Sequence, residues 1–182
     1  MPKSDNESII IEQLKAPATR RAAFEVLVGQ YSSKLYWQIR HMVTFHDDAN
    51  DVLQNTFIKA WLALDTFRGE SRISTWLYRI AANESLAFLQ QRRDTQPLDD
   101  ADNDMTNTLE SDPYFDGDET ELRLQLALEQ LPPKQRQVFT LKYFDNLKYE
   151  EISLILNTSE GALKASYHIA VKKIEEYFQH LD

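Results

Sequence analysis

The sequence contains no cysteine and little glycine. Its 182 residues include 0 Cys, 4 Gly and 6 Pro. Without Cys, the chain can form neither disulfides nor thiolate metal sites. Turns depend on Gly and Pro, so their scarcity favours long helices over a turn-rich β fold.

Long apolar runs are also missing. Residues 1–14 (MPKSDNESIIIEQL) lack the apolar core of a signal peptide. No apolar run approaches the roughly 20 residues that span a bilayer. We therefore expect a soluble, cytoplasmic protein without membrane insertion. Since no phosphate-binding Gly loop, nucleophile elbow or His cluster with metal spacing occurs, we expect no cofactor, no metal and no enzymatic activity.

The charge of the chain is concentrated in one segment. The net charge of -9 argues at first against nucleic-acid binding. Residues 94–121, however, carry 11 acids and no Lys or Arg, and the rest of the chain holds 18 acids and 20 bases. This acidic, polar stretch is typical of a flexible linker.

Apolar residues follow a helical spacing on both sides of the acidic stretch. Residues 24–39, 49–64 and 75–88 each place apolar side chains on one helix face, as do residues 124–131 and 160–178. We predict an all-α protein of two small helical domains joined by an acidic flexible linker. The predicted boundaries are 1–93 for a helical bundle, 94–120 for the linker and 121–182 for a helix-turn-helix domain.

The C-terminal domain has the pattern of a helix-turn-helix. A short helix at 149–156, a tight turn at 157–159 and a longer helix from 160 follow one another. In this motif the second helix enters the DNA major groove with its N-terminal half. The candidate DNA-contacting residues there are Ser159, Glu160, Ala162, Lys164, Ala165, His168 and Lys172. An ordinary helical hairpin with a solvated Lys face is the alternative.

Three blocks give this domain a specific resemblance. Residues 131–136 (LPPKQR), 149–152 (YEEI) and 159–164 (SEGALK) are similar, in order and spacing, to domain four of bacterial sigma factors. The extracytoplasmic-function (ECF) group is the most similar. The resemblance implies that this domain binds the minus-thirty-five promoter element and docks on the flap of the polymerase β subunit.

The N-terminal domain resembles domain two of the same family. Residues 48–57 (DANDVLQNTF), followed by 60–61 (AW), are similar to the helix that grips the clamp of core RNA polymerase. The resemblance assigns Asp48, Asp51 and Gln54 to that contact. Without it, a solvated helix face would be the simpler interpretation.

A loop and the following helix complete the domain-two pattern. Residues 67–71 (FRGES) and 75–83 (TWLYRIAAN) resemble the element that captures the minus-ten sequence and flips one base into a pocket, which assists melting. Aromatic stacking and Arg–phosphate contacts are how single strands are held. The implied contacts are Phe67, Arg68, Ser71, Thr75, Trp76, Arg79, Asn83, Arg92 and Arg93. For Trp76, a plain core position is the alternative.

The family resemblance also implies partners for the whole chain. The acidic linker would pass through the polymerase cleft and RNA exit path as an RNA mimic, and an anti-sigma factor would regulate a protein that is monomeric when free. Two other hypotheses stay open: a self-sufficient helix-turn-helix regulator, and an adaptor made only of interacting helices. The self-sufficient regulator leaves the aspartate-glutamine helix and the Trp-containing loop and helix unexplained.

Overall fold

A computed structural model describes residues 5–95 and 119–180, with side chains for 7–92 and 119–180. Those residues form eight α-helices and a short 3-10 turn at Leu64–Thr66, and contain no strand. The helices are α1 Asp5–Lys15, α2 Arg20–Val43, α3 His46–Ala63, α4 Ile73–Thr95, α5 Glu119–Glu129, α6 Pro133–Tyr143, α7 Tyr149–Leu156 and α8 Glu160–Gln179. The predicted all-α class is confirmed. The predicted linker falls mostly on residues 96–118, which lie outside the described residues.

Local sequence signals set the starts of the C-terminal helices. Pro133 occupies the first turn of α6, where its missing N–H costs no hydrogen bond. The Ser159 hydroxyl accepts a hydrogen bond from the Ala162 N–H at 3.3 Å and so caps α8. At the start of α7, the Glu151 carboxylate accepts the Lys148 N–H at 2.9 Å. Because Lys has no acceptor, only this half of a capping box can form there.

The N-terminal bundle consists of α2, α3 and α4 around a buried apolar core. Leu27, Leu35, Ile39 and Leu77 are fully buried in it. Helix α1, which the sequence analysis does not predict, packs on α2. It contributes three buried side chains, Ile10, Ile11 and Leu14.

The C-terminal helices pack mainly against α8. Leu128 of α5, Phe139 of α6 and Ala170 of α8 share one buried cluster. Helix α7 lies against α8, with Ile155 and Leu163 buried. This is the helix-turn-helix arrangement that the sequence predicts.

The two helical groups also pack against each other. Val138, Leu141, Ile152 and Ile155 belong to the same buried apolar cluster as the core of α2–α4. Helix α7 contacts α4, and α6 contacts both α2 and α4. The sequence predicts two modules joined by a tether, whereas the structure shows them closed on one another. We call this contact surface the seam.

In the described ranges, 5–95 and 119–180, no helix is both long and apolar enough to cross a membrane. They also hold no cluster of three or more His, Asp or Glu arranged to bind a metal ion.

Candidate nucleic-acid and polymerase interfaces

Much of the surface of α8 is exposed, from its cap at Ser159 to Lys172. All seven residues predicted to contact the minus-thirty-five element are exposed: Ser159, Glu160, Ala162, Lys164, Ala165, His168 and Lys172. The Lys164 ammonium lies 3.6 Å from the Glu160 carboxylate and 5.6 Å from the centre of the Tyr149 ring. Since exposed pairs of this kind contribute little stability, Lys164 can exchange Glu160 for a phosphate or a base edge.

Helix α3 carries the residues predicted to bind polymerase. Asp51 and Gln54 are exposed and share one helix face. The same face continues with two exposed apolar side chains, Ile58 and Leu62, at 51% and 73% exposure. Sequence reasoning missed these two, although their regular spacing of four residues from Gln54 onward was available as a signal. A stripe of two polar and two exposed apolar side chains is suited to a protein partner.

Trp61 of α3, one of the apolar residues at 49–64 that were predicted to share a helix face, is only partly covered. Its indole packs edge-on against Phe24 at 5.1 Å between ring centres, and 40% of the residue stays exposed. The side chain therefore contributes both to the core and to the surface beside Ile58.

Asp48 and Arg92 were predicted for different surfaces and pair with each other. The Arg92 guanidinium lies 3.6 Å from the Asp48 carboxylate and 5.1 Å from the centre of the Phe45 ring. Burial raises the pKa of Asp48 above its ordinary value, although Arg92 opposes the shift. Arg92 therefore ties the last turns of α4 to the start of α3. The side chain of Arg93, next along α4, lies outside the described part.

The predicted minus-ten residues on the loop at 67–72 and on α4 differ in exposure: some are accessible and others are buried. Arg68 and Asn83 are exposed, and Ser71 is half-buried. Phe67 is 8% exposed, and its ring lies 4.8 Å from that of the half-buried Trp76. These two aromatic side chains form the floor under the loop, so they are less accessible to a base than the sequence suggests.

Helix α7 covers part of the predicted minus-ten surface. The Arg79 guanidinium donates a hydrogen bond to the Leu154 carbonyl of α7 at 2.5 Å. Thr75 is 9% exposed and lines a narrow cleft between the loop and α7. The cleft is also lined by Glu70, Ser71, Arg72, Lys148, Glu150, Glu151 and Leu154. Thr75 is therefore covered in this closed arrangement, whereas Arg79 stays exposed with one of its donors on α7.

Polar side chains of α6 fasten the seam, and sequence reasoning missed them. Arg136 is almost fully buried, and its guanidinium donates to the His41 carbonyl at 3.0 Å and to the Thr44 hydroxyl at 2.7 Å. It also pairs with the Glu129 carboxylate at 2.8 Å. Gln137 donates to the Ala82 carbonyl at 2.9 Å. Nothing in the spacing of these residues distinguishes them from surface positions.

Titratable groups at the seam have shifted pKa values. Burial lowers the pKa of His41 to about 4, helped by the nearby Arg136 and Arg40. Burial raises the pKa of Asp145 to about 7. Burial also raises the pKa of Tyr78, and the Asp145 carboxyl adds to that shift. A neutral imidazole and a protonated carboxyl therefore suit the closed arrangement.

Comparisons with known proteins match both halves of the chain. The family model "Sigma-70 region 2" matches residues 27–95, and "Sigma-70, region 4" matches residues 121–174. The RNA polymerase sigma-H factor of Pseudomonas aeruginosa is 31% identical, over 100% of this chain and 98% of its own. The ECF RNA polymerase sigma-E factor of Escherichia coli K12 is 30% identical, with the same coverage.

An exposed helix-turn-helix packed on a helical bundle, together with these family matches, defines a transcription initiation factor. The chain belongs to the sigma-70 family, in its ECF group. It binds core RNA polymerase and promoter DNA and directs promoter-specific initiation of transcription.

Solved structures confirm the fold. CnrH, in complex with the cytosolic domain of CnrY, superposes with a TM-score of 0.71 at 22% identity, over 97% of this chain and 99% of that one. The sigma factor RpoE of Bartonella quintana, in complex with the anti-sigma factor NepR, gives 0.65 at 21% identity, over 86% and 96%.

Proposed function

We propose that the chain divides promoter recognition between two parts, residues 1–93 and 121–182, with the acidic segment 94–120 between them. The exposed N-terminal half of α8 is the observation that carries this assignment. Its seven predicted contact residues are all exposed, and Ser159 fixes the start of the helix. We assign this exposed surface to the major groove of the minus-thirty-five element.

The first part binds the polymerase clamp through α3. Asp51 and Gln54 supply a carboxylate and an amide that can pair with Arg side chains of a partner. Ile58 and Leu62 add apolar area beside them. Asp48 contributes to the same face, with its carboxylate held by Arg92.

The loop at 67–72 and α4 capture the minus-ten element and assist its melting. Arg68 and Asn83 are accessible for phosphate and base contacts, with Ser71 beside them. Phe67 and Trp76 shape the floor on which an extruded base rests. Arg79, Thr75, Arg92 and Arg93 complete the predicted set. Capture of an extruded base offsets an unpairing cost of a few kcal/mol.

The closed arrangement must open before both elements can be bound. Here α7 lies within hydrogen-bond distance of Arg79. Two promoter elements about 25 base pairs apart are separated by roughly 85 Å of duplex. Core polymerase supplies the surfaces that hold the two parts apart, and the acidic segment occupies its RNA path between them.

Regulation and location follow from the same assignment. CnrH and the Bartonella RpoE were solved with CnrY and with an anti-sigma factor respectively. We assign an anti-sigma factor to this chain as well. It acts in the cytoplasm with the core enzyme, as a monomer when free, and performs no catalytic step of its own.

Runoff transcription tests the whole proposal. The chain is mixed with core RNA polymerase and with promoters found by transcript-start mapping after its overproduction. Permanganate reactivity of thymines in the minus-ten element measures melting. We expect runoff product and reactive thymines only when chain and core are both present. Specific duplex binding by the chain alone would favour a self-sufficient regulator, and neither binding nor transcript would favour an adaptor.

A further inference from the structure

The loop at 67–72 is tied at both of its ends to the N-terminal segment of the chain. Before the loop, the Asp65 carboxylate accepts a hydrogen bond from the Arg20 guanidinium at 2.7 Å. After the loop, the Ile73 N–H donates to the Glu7 carboxylate at 2.6 Å. Glu7 and Arg20 both precede residue 27, where the match to sigma-70 region 2 begins.

Glu7 supplies a helix cap that the local sequence cannot provide. Ile73 is the first residue of α4, and its N–H is one of the amides that have no partner within the helix. Arg72 precedes it, and a guanidinium has no hydrogen-bond acceptor. The Glu7 carboxylate from α1 accepts this hydrogen bond, and its charge suits the positive end of α4.

Arg20 is itself held in place. Its Nε donates to the Leu14 carbonyl at 3.0 Å, while its terminal nitrogen reaches Asp65. The Arg20 side chain is 27% exposed and the Asp65 side chain 76%, so Arg20 is the more firmly held partner of this ion pair. The buried side chains Ile10 and Leu14 fix α1 against the bundle, and both ties therefore start from a rigid base.

Between the two ties, the buried Phe67 packs on Trp76, while Arg68 and Glu70 are exposed. Gly69 has a φ of 74°, a conformation that Gly adopts freely and other residues rarely do. The Arg68 and Glu70 side chains are mostly exposed and 4.0 Å apart, a weak contact. A loop that is fixed at both ends loses less entropy when it binds a ligand.

We propose that Glu7 and Arg20 are positioning residues for capture of the minus-ten strand. By fixing both ends of the loop, they hold Arg68 and Ser71 where an extruded base and its phosphate will lie. This rests on the assignment of the loop to the minus-ten element. The N-terminal segment, outside the matched region, is thereby part of the strand-capture apparatus.

The experiment measures binding of a single-stranded minus-ten oligonucleotide to the complete complex of this chain with core polymerase, by fluorescence anisotropy. The variants are Glu7→Ala, Glu7→Gln and Arg20→Ala. Glu12→Ala is the matched control, because Glu12 is an exposed acid on the same helix. Core affinity and binding of a duplex minus-thirty-five fragment are measured on the same preparations.

We expect Glu7→Ala to weaken oligonucleotide binding about fivefold, the scale of a lost helix cap, and Arg20→Ala to do so less. Glu7→Gln should lie between Glu7→Ala and the parent, because an amide oxygen still accepts a hydrogen bond. Core affinity and duplex binding should stay within about twofold of the parent. The double variant Glu7→Ala with Arg20→Ala should lose less than the product of the two single effects, because both act on one loop.

Arg68→Ala separates this proposal from the one on which it rests. If Arg68→Ala weakens oligonucleotide binding and Glu7→Ala does not, the positioning role is wrong and the minus-ten assignment stands. If neither variant changes binding, the minus-ten assignment fails, and the positioning role with it. Equal losses of core, duplex and oligonucleotide binding in Glu7→Ala would show a merely structural role and overturn the proposal.

Discussion

The imidazole of His41 lies flat against the phenyl ring of Phe144, with ring centres 3.7 Å apart and planes within 6°. His41 stands near the end of α2 and Phe144 directly after α6, so the stack joins the two matched regions of the sigma factor. Because burial keeps the imidazole neutral at ordinary pH, the stack forms without confining a charge between two apolar surfaces. The stack is therefore a direct side-chain contact between the two helical groups in the closed arrangement.

Arg136→Ala should open the seam. The substitution leaves the Glu129 carboxylate without its buried partner and removes both hydrogen bonds to the end of α2. Loss of one partner of a buried pair costs about 3 kcal/mol, so we expect lower stability to urea. Since the chain has no natural Cys, Ser33→Cys and Gln179→Cys provide label sites for energy transfer, whose efficiency should fall.

Lys134→Ala is the control for the seam, because Lys134 is exposed on the same helix. It should change neither the urea midpoint nor the transfer efficiency. Undiminished transfer in Arg136→Ala would mean that the apolar part of the seam is sufficient to hold the chain closed.

Asp145→Asn should change how the free energy of unfolding depends on pH. The pKa of Asp145 is raised to about 7 in the closed form from an ordinary 3.8, so its stabilising contribution is present below the ordinary value and is lost as pH rises through 7. His41 acts in the opposite sense: its pKa is lowered to about 4 from 6.5, and its contribution is lost as pH falls from 6.5 towards 4. The two effects offset each other in the parent protein over most of this range.

Urea unfolding at pH 5 and pH 7.5 measures this difference. We expect Asp145→Asn to gain stability relative to the parent by about 2 kcal/mol more at pH 7.5 than at pH 5. Glu12→Gln, on an exposed carboxylate, is the control and should show no such widening. A constant gap between the parent and Asp145→Asn would show that the carboxyl is not buried in solution.

Asp51→Arg combined with Gln54→Ala should weaken binding to core polymerase without unfolding the chain. Both side chains are exposed on α3, so the core of the bundle is unaffected, while an opposite charge now faces the partner. Co-purification with core enzyme measures the effect, and a loss of more than about tenfold is expected. Glu12→Arg with Gln13→Ala makes the same chemical change on α1 and should bind core normally. Equal retention of both variants would remove α3 from the clamp contact.

Lys164→Ala should weaken binding to minus-thirty-five duplex. The ammonium is exposed and held only by Glu160 and the face of Tyr149. We expect a loss of about 1 kcal/mol and a salt dependence reduced by about one unit of slope, the signature of one lost phosphate contact. Titrations at several salt concentrations measure both, and Lys34→Ala, exposed on α2, is the control. An unchanged slope with relaxed base preference would instead assign Lys164 to a base edge.

Elements with strong local signals could be predicted from the sequence. Pro133, the turn at 157–159 and the Ser159 cap give α6, α7 and α8 nearly their observed bounds. Exposure of the α8 face follows from the same periodicity, because Leu163 and Ala170 must point inward. Helix α1 was missed because it is short, and the three consecutive Ile at 9–11 mask its amphipathic pattern.

Contacts between distant segments could not be predicted. The Arg79 side chain is bound by a carbonyl 75 residues away, and Arg136 is buried against a helix end 92 residues away. Arg136 carries no periodic signal that separates it from an exposed cation, and nothing local to Arg79 indicates its carbonyl partner. The closed seam, and with it the partial cover over the minus-ten surface, depends on how two amphipathic groups fit together in space.

The shared apolar cluster at the seam couples the conformation of this protein to the presence of a binding partner. When the two halves part, Val138, Leu141 and Ile152 lose the neighbours that they have on α2 and α4, and water cannot replace those contacts at equal free energy. An open chain without a partner would expose this apolar surface and would be prone to self-association and proteolysis. The apolar surface that stabilises the free protein when it is buried at the seam therefore makes the open form dependent on a large partner that covers it.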